Sequence, residues 1–239
     1  MATWIKFCTI IAVWAIFFIS AYSLFTSRSN EQVMTLQKAM NQVNSWQSYQ
    51  MVQTLRLNNE EEVHIKSTSH QDPYLAHVKS RARLTDTEDF LFEIYFQPDV
   101  IYVHTVNSNA WNKADYTHPM TGELEGMKDP MVFWLRMLKH SDKIKKLEIP
   151  NDGYHFIVKL RPFRDEVHGF QFNDMLSAQL EAWVSKEPVK IERMKLVIDY
   201  KPSILRRYDQ VTYSVTFSSI NHAPTILLPE QAYQATTLK

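Results

Sequence analysis

The sequence predicts an α+β domain built around one long antiparallel sheet and preceded by a separate hydrophobic segment. Three observations lead to this prediction. Residues 7–25 form a run of nineteen residues without a charge. Several later stretches alternate apolar and polar residues, which is typical of strands with one covered face. Patterns of helical period stand before and between these stretches, so helices and strands come in runs, as in α+β proteins.

The composition fits a single domain behind the hydrophobic segment. The chain has 239 residues, of which 45% are hydrophobic, enough for a sizeable core. The part that follows the segment, about 210 residues, is within the size that β-rich single domains reach. We therefore expect a signal peptide or transmembrane anchor at 1–28 and one domain at 29–239. The 26 basic and 26 acidic residues balance, which argues against a nucleic-acid partner.

Residues 7–25 allow two interpretations. As a helix the run would be nearly 30 Å long at about 1.5 Å per residue, which matches a bilayer core. It could be a retained anchor, with Lys6 inside and the domain outside. It could also be a signal peptide that is cleaved after Ala21-Tyr22-Ser23, where small residues occupy the required positions. The domain is expected at the outer side of the cell membrane in the first case and secreted in the second.

Residue patterns that would indicate catalysis, cofactors or metals are absent from the sequence. The four glycines are not spaced to form a phosphate-binding loop, and Cys8 in the hydrophobic segment is the one cysteine. The nine histidines occur in no zinc motif, although His64, His70, His77 and His104 could converge in space. No serine lies in a nucleophile elbow, and the acidic run at 60–62 suits a solvated hairpin tip rather than a hydrolase. We predict no catalytic residues, no metal site and no cofactor.

The first element of the domain is predicted to be a helix over 29–45. Residues 29–32 have the form of a capping box, in which Ser29 accepts a backbone N–H and Gln32 reaches back. An apolar face then recurs at helical spacing, through Val33, Leu36, Met40 and Val43.

Residues 49–105 are predicted to be mostly strand. The polar stretch 58–62 is the expected tip of a hairpin. Gln97-Pro98-Asp99 supplies a turn between two further strands, because proline presets φ and aspartate can bond its own backbone. The strand before that turn alternates apolar and mixed positions, with Phe90, Phe92, Ile94 and Phe96 on one side.

Two further helices and three further strands complete the expected order. Asp129-Pro130 has the form of a helix start, and Asn173 can cap a second helix. Between them, 156–160 reads as a short strand and the lysines at 143, 145 and 146 as a solvated helix end. The clearest strands are 194–200 and 211–217, which alternate strictly. The expected helix faces are Met131, Trp134, Leu135 and Leu138 for the first helix and Leu176, Leu180, Trp183 and Val184 for the second.

The apolar side of these strands, with the first of these two helices, provides the candidate ligand-binding residues. If the parity is right they line a space between sheet and helices, whereas a slip of one residue would exchange the two faces. A cavity and a filled core remain alternatives. The candidates are Phe92, Ile94, Trp134, Leu138, Met194, Leu196, Ile198, Val211, Tyr213 and Val215.

Three segments resemble the LolA-like group of bacterial envelope proteins, which includes lipoprotein carriers, LppX-type lipid binders and uncharacterised exported proteins of Firmicutes. They are Trp46-Gln47-Ser48-Tyr49 after the first helix, the hairpin at 90–105 followed by Trp111-Asn112-Lys113, and the ending at 226–232. The resemblance implies a curved sheet, an open half-barrel, with helices over its concave face. It also implies non-covalent shielding of acyl chains between the sheet and the helices.

These observations lead to one main hypothesis with two alternatives. The main hypothesis is a non-catalytic envelope protein that binds a lipid or another hydrophobic ligand between sheet and helices. The first alternative is an extracytoplasmic sensory or interaction module, tethered by residues 7–25, with a protein partner in the envelope. An enzymatic function, such as hydrolysis of wall or lipid, rests on location alone.

Overall fold

The structure is a computed structural model that describes residues 31–238 except 86, 107, 109, 151–152 and 205. The hydrophobic segment at 7–25 and the boundary expected near 28 lie outside the described residues. Across the described part of the chain, no helix has both the length and the apolar character needed to cross a membrane.

One large curved sheet dominates the described residues. Its strands follow the order β14-β6-β5-β4-β3-β2-β1-β13-β12-β11-β8-β7, and β9 and β10 form a separate hairpin. Neighbouring strands are antiparallel except β14 and β6, which are parallel, so the sheet is mixed and open. The strands are β1 Ser48–Leu57, β2 Glu60–Gln71, β3 Tyr74–Arg83, β4 Asp89–Phe96, β5 Ile101–Thr105, β6 Trp111–Ala114, β7 Ser141–Ile149, β8 Gly153–Leu160, β9 Asp165–Val167, β10 Phe170–Phe172, β11 Met175–Ser185, β12 Lys190–Tyr200, β13 Gln210–Ser218 and β14 Thr236–Thr237.

Three α-helices of the described residues accompany the sheet: α1 (31–41), α2 (Pro119–Lys128) and α3 (Met131–Lys139). The prediction of a first amphipathic helix is confirmed within the described residues, since Leu36 and Met40 are buried. The start of α3 was also predicted correctly. The Asp129 carboxylate accepts the backbone N–H of Met131 at 2.9 Å, which satisfies one of the free donors at the helix start.

The helix predicted after Asn173 is wrong, because this segment forms β11. Leu180 and Val184 are four residues apart, a spacing that fits one face of a helix as well as alternate positions of a strand. Ala178 and Ala182, each two residues before one of these, are also buried and complete a strand period. Leu176 is 59% exposed, so the predicted helical face does not exist.

Two charged stretches also lie on strands rather than at the predicted loop and helix end. Lys143, Lys145 and Lys146 belong to β7, an edge strand, where lysine discourages pairing with other chains. The acidic run 60–62 opens β2 rather than extending the hairpin tip. The tip is Asn58-Asn59, with φ values of 47° and 73°, as a two-residue type I′ turn requires.

The inner face of the sheet, which carries the main core, holds the apolar rows that the alternation predicted. One cross-strand row runs from Leu55 through Tyr213 to Leu196 on β1, β13 and β12. All three side chains are at most 1% exposed. The helices and the β9–β10 hairpin pack on this face, so the cover is partly a hairpin and not helices alone.

The outer face carries a smaller core formed by the C-terminal segment. Ala232 and Ala235, in and just after a 3₁₀ turn at Glu230–Gln234, are buried against Tyr95 and Trp111. The ending quoted in the sequence resemblance therefore covers the outer side of β4 and β6.

Candidate functional site

A cavity of 630 Å³ lies between the inner face of β2 and β3, helices α2 and α3, and the β9–β10 hairpin. Its volume is within the range of small-molecule sites in proteins. We refer to it as the cavity. Its walls are formed by Val63, Ser80, Ala82, Gly122, Leu124, Gly126, Met127, Asp129, Val132, Phe133, Arg136, Glu166, Val167, His168 and Gly169.

The cavity is open because several wall residues have little or no side chain. The chain has four glycines, and three of them, Gly122, Gly126 and Gly169, line this one space. A Cβ added at any of the three would meet nothing within 4 Å. Gly122 and Gly126 are four residues apart in α2 and therefore share a face of that helix. Ser80 and Ala82 continue the small surface on β3.

A buried glutamine of β1 holds the covering elements against the sheet. The Gln53 side chain is 1% exposed, and its amide N–H groups donate to the carbonyls of Gly126 and Met127 at the end of α2. Its amide oxygen accepts the hydroxyl of Tyr213 and the Nε2–H of His168. One side chain therefore connects the sheet with both α2 and the β9–β10 hairpin.

His168 is at the tip of that hairpin and reaches inward to the network. His168 and Gly169 have φ values of 51° and 80°, so the tip is a tight two-residue turn. Burial lowers the pKa of His168 to about 4, because the charged imidazolium would lose its hydration. The imidazole is therefore neutral at pH 7, with its Nε2–H committed to Gln53.

The end of α2 is also fixed by a cation–π cluster. Lys128 Nζ lies over the rings of Tyr74, Tyr116 and Phe96, at 5.0, 5.2 and 5.4 Å from their centroids. Such contacts contribute about 0.5–2 kcal/mol depending on exposure. Together with Gln53, they position the glycine-bearing helix over the cavity.

Two of the charged wall residues, Arg136 and Asp129, take part in an ion pair and a helix cap. Arg136 donates from Nε and Nη2 to the two oxygens of Asp165, at 3.0 and 2.9 Å. Asp129 caps α3, and Glu166 lies at the exposed rim. The geometry of the Arg136–Asp165 pair is bidentate, which fixes the guanidinium at the cavity wall.

Ser80 presents a different feature, a buried hydroxyl. Its side chain is 3% exposed, and among the described residues no hydrogen-bond partner reaches its Oγ. Leaving such a group unpaired costs about 1–3 kcal/mol. Ser80 is also one of the residues that line the cavity.

The ten predicted ligand-binding residues all lie in or against the main core rather than on the cavity wall. Trp134 stacks on Tyr213 with centroids 5.0 Å apart, and Phe92 is partly buried opposite Ser80 on β3. None of the ten is among the described residues that line the cavity. A direct role for them in ligand contact stays a prediction. The other seven are buried: Ile94, Leu138, Met194, Leu196, Ile198, Val211 and Val215.

The sequence reasoning missed the elements that form the opposite wall. Neither α2 nor the β9–β10 hairpin was predicted, since α2 contains two glycines and each hairpin strand has three residues. The scarcity of glycine was the available signal. In a chain with four glycines, a pair spaced by four residues indicates a helix face that is kept free of side chains.

The histidines do not assemble into a metal site. Within the described residues, no group of three or more His, Cys, Asp or Glu side chains is placed to hold a metal ion.

Two of the histidines, on the outer face of the sheet, each bond a glutamate and stack on an aromatic ring. His77 bonds Glu93 and stacks on Tyr95, while His155 bonds Glu181 and stacks on Trp183 in the same way.

Comparisons with known proteins give one family and two similar structures. Residues 28–204 match the family described as "Family of unknown function (DUF6612)". The crystal structure of the Mycobacterium tuberculosis lipoprotein LppX is similar with a TM-score of 0.48 and 11% identity, over 81% of this chain and 96% of that one. An uncharacterized conserved protein from Thermus thermophilus has a TM-score of 0.42 and 11% identity, over 86% and 96%. No curated protein matches the sequence.

Proposed function

This chain belongs to the DUF6612 family of unknown function, and we propose that it binds a lipid or another hydrophobic ligand in the cavity without catalysing a reaction. One observation carries the proposal. Three of the four glycines, together with Ser80 and Ala82, leave a space of 630 Å³ beside an otherwise well-packed core. The space opens to solvent at Gly122, Gly126 and Gly169, and its volume is within the range of small-molecule clefts.

The free energy available to such a ligand is substantial. Each methylene that leaves water contributes about 0.8 kcal/mol, so ten of them supply about 8 kcal/mol. Association and the ordering of a flexible chain offset a large part of this. The apolar wall residues Leu124, Val132 and Phe133 provide the surface against which the chain would pack.

The location of the protein and its division into segments are proposed as the sequence predicts them. Residues 1–28 would act as a signal peptide or membrane anchor, and 29–239 as one domain at the outer side of the membrane or secreted. A ligand that is poorly soluble in water suits this location, because a covered cavity shields it from the aqueous envelope.

A leucine at position 126 tests the proposal by filling the cavity from its α2 wall. The variant Gly126→Leu should fold, because a Cβ there meets open space and leucine favours helix. We expect it to lose the lipids that copurify with the wild type, measured by mass spectrometry after extraction. It should also lose binding of the neutral fluorescent probe N-phenyl-1-naphthylamine.

The matched control is Gly126→Ala, which strengthens the helix while removing little volume. It should retain copurified lipid and probe binding. Two results would overturn the proposal: a wild type that carries no lipid and binds no probe, or a Gly126→Leu protein that binds both as well as the wild type does.

A further inference from the structure

We propose that the cavity selects uncharged amphiphiles over carboxylate-bearing ones, because Asp165 neutralises the cation on its wall. This inference rests on the proposed function and specifies its ligand class. It specifies the charge of the ligand's polar group, whereas the proposed function requires only that the ligand has an apolar part.

Among the described wall residues of the cavity, the one positive charge is already paired with a carboxylate. Among the described side chains of its wall, Arg136 is the one cation, and both oxygens of Asp165 hold its guanidinium. Asp165 is 16% exposed at its side chain, so its charge is poorly screened by solvent. The remaining charged wall residues, Asp129 and Glu166, are carboxylates. A ligand carboxylate would therefore face like charges.

His168 adds no positive charge to the cavity wall at neutral pH. Burial holds its pKa near 4, so the ring carries no charge at neutral pH. Its Nε2–H already donates to Gln53 at 3.1 Å. The wall histidine is therefore not available as a cationic partner.

An uncharged polar group meets more favourable conditions at the β3 wall. The Ser80 hydroxyl is buried and has no partner among the described residues, and it can both donate and accept a hydrogen bond. A ligand hydroxyl or ester carbonyl would satisfy it. A carboxylate in the same place would lose part of its hydration without gaining an unpaired cation.

A carboxylate could take the Nε and Nη2 donors of Arg136 only by separating it from Asp165, while the remaining N–H groups carry a charge that Asp165 already offsets. That exchange would leave the Asp165 carboxylate without its bidentate partner and next to Glu166, its neighbour in the chain. The gain and the loss involve the same type of ion pair, so the exchange brings no net advantage. Replacing Asp165 removes this competition.

The experiment compares 1-monooleoylglycerol with oleate, which share one acyl chain, as competitors of N-phenyl-1-naphthylamine at pH 7.5. For the wild type we expect the monoglyceride to displace the probe at concentrations at least about tenfold lower than oleate, since a difference of about 1.4 kcal/mol corresponds to tenfold. In Asp165→Asn, oleate should compete about threefold better or more, with the monoglyceride unchanged.

Two further variants isolate the ion pair. Glu166→Gln removes the same amount of negative charge from the rim without releasing a guanidinium, so oleate should gain less than in Asp165→Asn. Arg136→Gln removes the cation, so oleate should gain nothing. If Glu166→Gln improves oleate as much as Asp165→Asn does, the role of the Arg136–Asp165 pair is overturned.

The failure of this inference can be distinguished from the failure of the proposed function. Equal competition by oleate and the monoglyceride, with both abolished by Gly126→Leu, would overturn the charge selection and leave the proposed function standing. Competition by neither lipid, together with a wild type that binds no probe, would overturn the proposed function and this inference with it.

Discussion

His168 donates its Nε2–H to the amide oxygen of Gln53 across 3.1 Å, although the two residues are 115 positions apart in the chain. The bond joins the tip of the β9–β10 hairpin to the middle of β1. Since the same glutamine also bonds the last carbonyls of α2, the two covers of the cavity depend on one buried amide. Polar networks of this kind fix the structure only when every member is satisfied.

Gln53→Leu should therefore destabilise the protein strongly. The substitution leaves the Tyr213 hydroxyl and the His168 Nε2–H buried without their acceptor. We expect the free energy of unfolding to fall by about 2–4 kcal/mol in urea denaturation. Hydrogen exchange should accelerate first at Pro119–Lys128 and 165–172, the elements that the glutamine holds.

Gln179→Leu is the matched control, because Gln179 lies on β11 at an exposed position. It makes the same chemical change outside the core and should alter stability by less than about 0.5 kcal/mol. Equal losses in the two variants would show that Gln53 is not the connecting residue described above.

The free energy of unfolding should fall at acid pH because of His168. The folded-state pKa is about 4, below the ordinary value of 6.5, so the unfolded chain binds the proton more readily. The contribution of the neutral ring to stability is therefore complete above pH 6.5. It is lost as the pH falls from 6.5 towards 4, by up to about 3 kcal/mol. Urea denaturation at several pH values measures this slope.

His168→Asn removes the titrating ring while keeping a residue type that tolerates the positive φ at this turn. Burial also lowers the pKa of His77, which adds a slope of the same sign, so the comparison between variant and wild type is the informative quantity. If the slope between pH 4 and 6.5 is the same in both proteins, His168 is not the group responsible.

Much of the sheet could be predicted because its alternation is regular. β4, β12 and β13 were expected within a few residues of their observed bounds, since a period of two persists over eight or more residues. β11 was mistaken for a helix because Leu180 and Val184 fit both periods. The choice depended on Ala178 and Ala182, and alanine is common in helices and in buried strands alike.

The cavity could not be predicted from the same patterns. The residues of its wall, such as Ala82, Gly126 and Gly169, are far apart in sequence. The space exists because these residues have a small side chain or none. The apolar residues that alternation identifies most clearly, such as Leu196 and Val215, are fully packed. Hydrophobic periodicity thus locates the core, whereas an opening next to the core follows from how loops and short elements cover the sheet.

Two of the glycines should respond in opposite ways to alanine. Gly122→Ala adds a Cβ into open space within a helix and should stabilise the protein by about 0.5–1 kcal/mol. Gly169→Ala also meets open space, but φ is +80° there, so a loss of about 1 kcal/mol is expected. Urea denaturation of both variants checks the signs, and a stabilising Gly169→Ala would contradict the turn geometry.

Removing the Ser80 hydroxyl should separate ligand binding from stability. Because the hydroxyl has no partner among the described residues, Ser80→Ala should leave the free energy of unfolding unchanged or raise it by up to about 1 kcal/mol. If a ligand satisfies the hydroxyl, the affinity of the Ser80→Ala variant for 1-monooleoylglycerol falls about fivefold, the equivalent of one hydrogen bond of about 1 kcal/mol.

Ser67 is the matched control, since it is also buried without a described partner but does not line the cavity. Ser67→Ala should therefore match Ser80→Ala in stability and retain wild-type affinity, and equal affinities in the two variants would exclude Ser80 from the ligand contact.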